Sequence, residues 1–229
     1  EKEPEDEQVI FLLDRFGYAK LLDVASYEKN REQIEGEYRA VVPNMTSGRI
    51  QLYTSAGVLH QVKVRDIPAG KLKDKGVPID NLSRFDGRKE EIHLVAAAGS
   101  LSKEQLLFVS REGYVKLVDG AEFETVNKTV VATKLGDEDA VTAVLVLGKG
   151  KQEVLLLSGE NYALRFNAEE TPQMKKNARG VRGMRLGSGD YVQRALLLPP
   201  MEEFMFNGKK VNPEKIRRGH RDTKGEKLK

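Results

Sequence analysis

Lysine and arginine recur at fixed places along this 229-residue chain, and their spacing is its clearest chemical signal. Lys20, Lys116 and Arg165 fall three or four residues past Gly17, Gly113 and Asn161, and Lys63 lies slightly later past Gly57. A residue repeated at one place in successive strands projects to the same side of each, so the pattern predicts a basic rim. Arg179, Arg182 and Arg185 stand three apart beside Gly180 and Gly183, where missing side chains would let amides and guanidinium groups approach a phosphate. His60, Arg65, Lys73 and Lys75 join them earlier in the chain. Lys175 and Lys176 do so just before the arginines, and Lys209, Lys210, Arg217, Arg218, Arg221 and Lys224 near the end. Cations in such an array would neutralise the backbone of a polyanion through counterion release, without reading bases.

Other chemistry has little to work with. His60, His93 and His220 show none of the paired spacings that build a metal site on one strand or helix. The chain holds no P-loop, dinucleotide fingerprint or nucleophile elbow. With no cysteine there is no thiolate nucleophile, Cys-ligated zinc or disulfide, and a reducing compartment fits. Tyr18, Tyr114 and Tyr162 each follow a turn residue directly. A thrice-repeated tyrosine reads as packing across a hairpin or between neighbouring repeats, not as a nucleophile. The expectation is a chain with no catalytic residue, metal or cofactor of its own.

The elements that must position these residues are repeated β-hairpins. Phe11–Lys20, Ile50–Val62, Leu106–Val118, Leu155–Phe166 and Phe204–Val211 each set apolar strand formers around a Gly or Asn turn. A glycine segment follows at a nearly fixed distance: Gly36, Gly76 and Gly180 come 19 residues after Gly17, Gly57 and Asn161, and Gly225 comes 17 after Gly208. Between them, Asn127–Leu135 is the copy that has lost its glycine. Apolar strands at Ile92–Ala97, Val141–Leu147 and Val192–Leu198 close most units. Strand, hairpin, strand, turn, strand at this period predicts propeller-like blades of four strands, about five of them, with helix limited to short turns. No apolar run approaches the ~18 residues of a membrane span. The net charge of +3 hides a segregation: residues 1–37 carry −6 and the remainder +9, which points to a polyanionic partner.

In order and spacing, these segments resemble the C-terminal domain of the A subunit of bacterial type IIA topoisomerases, gyrase and topoisomerase IV. The carrying residues are Phe16–Lys20, Thr54–Val64, Lys75–Leu82 and, most specifically, Asn177–Leu186 followed by Gly189-Asp190. The resemblance implies an all-β β-pinwheel whose blades exchange strands and whose basic rim binds and bends duplex DNA. It implies an acidic linker at residues 1–7 from an N-terminal catalytic region, and one DNA-binding domain over 8–229. ATP and magnesium would serve the whole enzyme and not this domain. The implied partners are double-stranded DNA, the ATPase B subunit, and the remainder of the A subunit, with no membrane and a cytoplasmic, nucleoid-associated location. Gyrase A subunits carry a basic Q-R-R-G-G-K-G box between the first two blades, whereas here Asn30–Glu37 is acidic. That departure tilts the likeness to topoisomerase IV, with the domain positioning the transported DNA segment. The alternatives are a gyrase wrapping domain with a degenerate box, or a propeller serving as a protein-interaction scaffold.

Overall fold

The hairpins form where glycine or asparagine can take a left-handed turn: Gly113 has φ +93° and Asn161 φ +66°. The computed structural model describes residues 2–229 and is almost entirely β. In chain order the elements are β1 (Gln8–Leu13), β2 (Tyr18–Asp23), α1 (Val24–Lys29), α2 (Arg31–Glu37), β3 (Ala40–Met45), β4 (Arg49–Thr54), β5 (Val58–Lys63), β6 (Val77–Pro78), α3 (Ile79–Leu82) and β7 (Ile92–Ala97). They continue with β8 (Gln105–Ser110), β9 (Tyr114–Asp119), β10 (Thr129–Val131), β11 (Val141–Leu147), β12 (Glu153–Ser158) and β13 (Tyr162–Asn167). The last are β14 (Val181–Arg182), β15 (Val192–Leu198), β16 (Phe204–Phe206), β17 (Lys209–Val211) and β18 (Glu226–Lys227).

Two compact units result, the first built from residues up to Thr54 with Val58–Leu101 and Glu124–Val130, the second from Ser55–Gly57, Ser102–Phe123 and Val131–Lys229. The first unit contains the sheets β3-β1-β2-β6 and β10-β5-β4-β7; the second contains β11-β8-β9-β14 and β15-β12-β13-β18. In each sheet a hairpin and a closing strand are local, and the fourth strand arrives from beyond the next hairpin. Pro78 and Val77 of β6 thus pair with Tyr18 and Ala19, and Val181 of β14 with Val115. The fifth hairpin, β16–β17, stays two-stranded, its Phe206 and Val211 packed on Leu155, Leu157, Leu198 and Ile216.

Both faces of the hairpin strands are covered, which is why they read as apolar runs and not as alternations. In β1, Phe11 and Leu13 join Ile50, Leu52, Val62 and Ile92 on one side, while Ile10 and Leu12 join Leu22, Tyr27 and Ile34 on the other. Each fully buried Leu or Ile contributes about 1.5–3 kcal/mol. Tyr27 and Ile34 come from α1 and α2, helices that the chain's weak helical periodicity did not announce. Asp23 caps α1 by accepting from the Ser26 amide at 3.0 Å, and the Tyr27 hydroxyl donates to Glu35 at 2.6 Å. The Gly36 copy of the glycine segment lies in α2 and joins no sheet, unlike those at Gly76, Gly180 and Gly225.

Candidate nucleic-acid interface

Of the four crossover loops that carry fourth strands to their sheets, the three that deliver β6, β14 and β18 are built alike. Each begins with a parallel bridge to the second hairpin strand, Leu21 with Ala69, Leu117 with Gln173, and Arg165 with Arg218. Each ends seven residues later at Gly76, Gly180 or Gly225. There φ is positive, and a Cβ would collide with the carbonyl oxygen of Ala19, Val115 or Ala163, so only glycine lets the strand close on the sheet. The residue before that glycine is always a cation lying over the repeated tyrosine. Lys75 Nζ is 4.3 Å from the Tyr18 ring centre, Arg179 Cζ 3.9 Å from Tyr114, and Lys224 Nζ 4.4 Å from Tyr162. The tyrosines therefore pack as the sequence suggested, and the rings' negative faces hold the cations in place.

The in-register cations of the hairpin strands have a different role from the one their spacing predicts. Lys20, Lys116 and Arg165 are 2%, 0% and 5% exposed. Lys20 Nζ donates to the carbonyls of Lys71, Leu72 and Asp74 at 3.0, 2.7 and 2.6 Å. Lys116 Nζ does the same to Lys175, Lys176 and Ala178 at 2.9, 3.1 and 2.6 Å. Counted from each loop's bridge these are the same three carbonyls, so one buried ammonium clasps each loop. Arg165 spends its donors on both Glu153 carboxylate oxygens and on the carbonyls of Pro213 and Ile216. His60 is buried too, between Thr129 Oγ1 at 2.8 Å and Glu90 at 3.0 Å, while its neighbour Gln61 donates to the carbonyls of Thr125 and Asn127. With no surface and few donors left, Lys20, His60, Lys116 and Arg165 leave the set of candidate phosphate contacts. They hold the loops that carry the exposed cations.

Those exposed cations form two groups. In the first unit Lys73, Lys75 and Arg65 are exposed. In the second unit the loops 173–185 and 218–224 are stitched together: the Arg185 amide donates to Thr223 O, and the Asp222 amide to Gly183 O. The exposed Arg182, Arg185 and Lys224 and the half-buried Arg179 and Arg221 thus line one ridge, Arg182 and Arg185 bordering an open pocket of about 350 Å³, with Lys175 exposed and Lys176 half-buried before it. Carboxylates temper the ridge. Arg179 meets Glu112 at 2.6 Å and Asp139 at 3.9 Å, and Asp222 receives Arg185 at 3.1 Å and Arg182 at 4.0 Å. Arg221 Nε donates to Glu170 O. Lys210 pairs with Glu203 and Arg218 with Glu153, while Lys209 is half-buried and Arg217 exposed. Among the described residues, no group of three or more His, Asp or Glu is placed to hold a metal ion.

The family description "DNA gyrase C-terminal domain, beta-propeller" matches residues 104–147 and 152–199. The A subunit of DNA gyrase from Escherichia coli (strain K12) is 31% identical over 206 residues, which cover 84% of this chain and 23% of that protein. The gyrase A subunit of Lawsonia intracellularis is 28% identical over 210 residues, covering 86% and 25%. The crystal structure of the C-terminal domain of DNA topoisomerase IV superposes with a TM-score of 0.84 at 26% identity, covering 97% of this chain and 73% of that one. The chain belongs to the β-pinwheel C-terminal domains of type IIA topoisomerase A subunits. It spans about a quarter of the length of the gyrase subunits it matches.

In this topoisomerase domain one basic surface escaped the sequence reading. Lys63, one of the residues singled out, sits at an open groove of about 410 Å³ in the first unit, with Arg49, Arg84 and Lys128 beside it. These come from β4, the segment after α3 and the loop before β10, more than thirty residues apart in sequence. No local pattern links them.

Proposed function

We propose that this chain is a sequence-independent module that binds and bends duplex DNA, positioning the transported segment for a bacterial type II topoisomerase. The observation that carries this reading is the equivalence of Lys75, Arg179 and Lys224: three cations at one place in three crossover loops, each fixed on a tyrosine ring. Fixed, sequence-blind cations suit a regularly charged backbone and supply no base-edge readout. On this reading residues 1–7 tether the domain to the catalytic part of an ATP-dependent parent enzyme. ATP and magnesium belong to that enzyme's other parts, the B subunit included, and the setting is the cytoplasmic nucleoid.

Topoisomerase IV is favoured over gyrase by the acidic insert. Residues 31–37 form α2, which exposes Glu32, Glu35 and Glu37. The Tyr27 hydroxyl, and after it Arg31, hold the Glu35 carboxyl below its usual range, so the insert keeps its negative charge. Such a surface repels phosphate where wrapping would require attraction.

Fluorescence anisotropy of the chain with duplexes of unrelated sequence tests the DNA reading. Affinity should be alike for all of them and fall by about 0.9 log unit per log unit of salt for each phosphate neutralised. Absence of binding at low salt by the folded chain rejects it. Decatenation and supercoiling assays of the parent enzyme, with and without residues 1–229, test the enzyme assignment: loss of supercoiling alone would favour gyrase.

A further inference from the structure

Resting on the DNA-binding reading, we propose that the first-unit groove lined by Arg49, Lys63, Arg84 and Lys128 is the domain's principal seat for a DNA phosphodiester. Among the described residues none of these four has a carboxylate within ion-pair distance. Lys63, Arg84 and Lys128 are exposed and Arg49 is half-buried. Asp66 is the one acidic residue of the lining, so the groove keeps an excess of positive charge.

The floor and wall explain why that charge stays available. The Gln61 Oε1 already accepts from Gln51 Nε2 and the Ser83 Oγ from the Phe85 amide, so neither oxygen is left to compete for the cations. Leu82 and Val126, the latter 74% exposed, form an apolar wall. Unpaired cations in a concave surface with an apolar side focus potential more strongly than cations already matched by carboxylates. Arg49 and Arg84 each offer a planar donor fork that fits two oxygens of one phosphate, and the lysines add point charges. The open groove has no enclosed apolar pocket to anchor a peptide side chain, which favours a continuous phosphate backbone over an acidic protein segment.

The test is a salt series of anisotropy titrations with a mixed-sequence DNA duplex and, separately, a poly-glutamate peptide. It compares the wild-type chain, the triple variant R49Q/R84Q/K128Q and the ridge variant R182Q/R185Q, each checked for native circular dichroism. The triple variant should lose roughly 10- to 100-fold in duplex affinity at low salt, with the salt slope reduced by about 2–3. The ridge variant should lose less than about one in slope. A triple variant with wild-type affinity and slope, while the ridge variant is impaired, overturns the groove and leaves the DNA reading intact. A triple variant that keeps duplex affinity but loses the peptide overturns it in favour of an acidic protein partner. A wild-type chain that binds no duplex removes the DNA reading and the groove with it.

Discussion

The first unit's groove and the second unit's ridge contain the same residue types in opposite electrostatic states. Arg49, Lys63, Arg84 and Lys128 face solvent without acidic partners, whereas Arg179, Arg182 and Arg185 are matched by Glu112, Asp139 and Asp222. In sequence the ridge looks far stronger, because its arginines stand three apart between glycines. In space the scattered groove residues have the larger free charge. Counting cations along a chain measures how many exist, but a partner responds to those that remain unpaired and unscreened.

The comparison can be broken most severely by releasing the ridge from beneath. Lys116→Met would remove the ammonium that ties the carbonyls of Lys175, Lys176 and Ala178 together and leave Lys176 O without its donor, lowering stability in urea titrations by about 2 kcal/mol. A loss below about 1 kcal/mol would mean that the loop does not depend on its clasp. The same variant checks a pH effect. Burial pushes the Lys116 ammonium down from 10.5 to about 8, against an opposing pull from Glu122. Between pH 8 and 10.5 the unfolded chain then binds more protons at this lysine than the folded one, so wild-type stability should gain on the variant as pH rises through that window. A constant difference across it would rule out the titration.

A milder change should turn the ridge into something more like the groove. Asp222→Asn removes the carboxylate shared by Arg182 and Arg185, and asparagine tolerates the φ of +63° at that position. Duplex affinity should rise several-fold and the salt slope by about 1. An unchanged slope would show that the ridge arginines make no phosphate contact even when freed. Smallest of all, Tyr114→Leu removes the ring beneath Arg179 and should cost about 0.5–1 kcal/mol in thermal melts. An equal melt for variant and wild type would reduce that stacking to coincidence.

Much of the fold was legible in the sequence because it is written locally. The five hairpins fall around their Gly or Asn turns, and the strands expected at Ile92–Ala97, Val141–Leu147 and Val192–Leu198 are β7, β11 and β15. The glycine spacing marked where Gly76 and Gly180 lie, but not what they approach, because their two-residue strands find partners far away in sequence. The helices α1 and α2 stayed hidden since each buries a single side chain, Tyr27 or Ile34, too few to set a period. The buried lysines were misplaced despite a usable signal. Tyr-Ala-Lys-Leu-Leu and Tyr-Val-Lys-Leu-Val are apolar on both faces, so a lysine in their midst has to lie inside and find carbonyls. For Arg84 and Lys128 no such signal exists, because folding alone brings their loops to Arg49.

The late arrival of every fourth strand also imposes a timetable on synthesis. As the chain leaves a ribosome, β1, β2 and β3 can assemble at once, but the edge at Tyr18-Ala19 stays open until Val77-Pro78 emerges. By then β4 and β5 have formed, and their sheet waits in turn for Thr129–Val131. Val181-Arg182 and then Glu226-Lys227 repeat the step for the two sheets of the second unit. Each newly made hairpin is followed by the segment that seals the sheet before it, so the open strand edges that invite aggregation are confined to the newest part of the nascent chain.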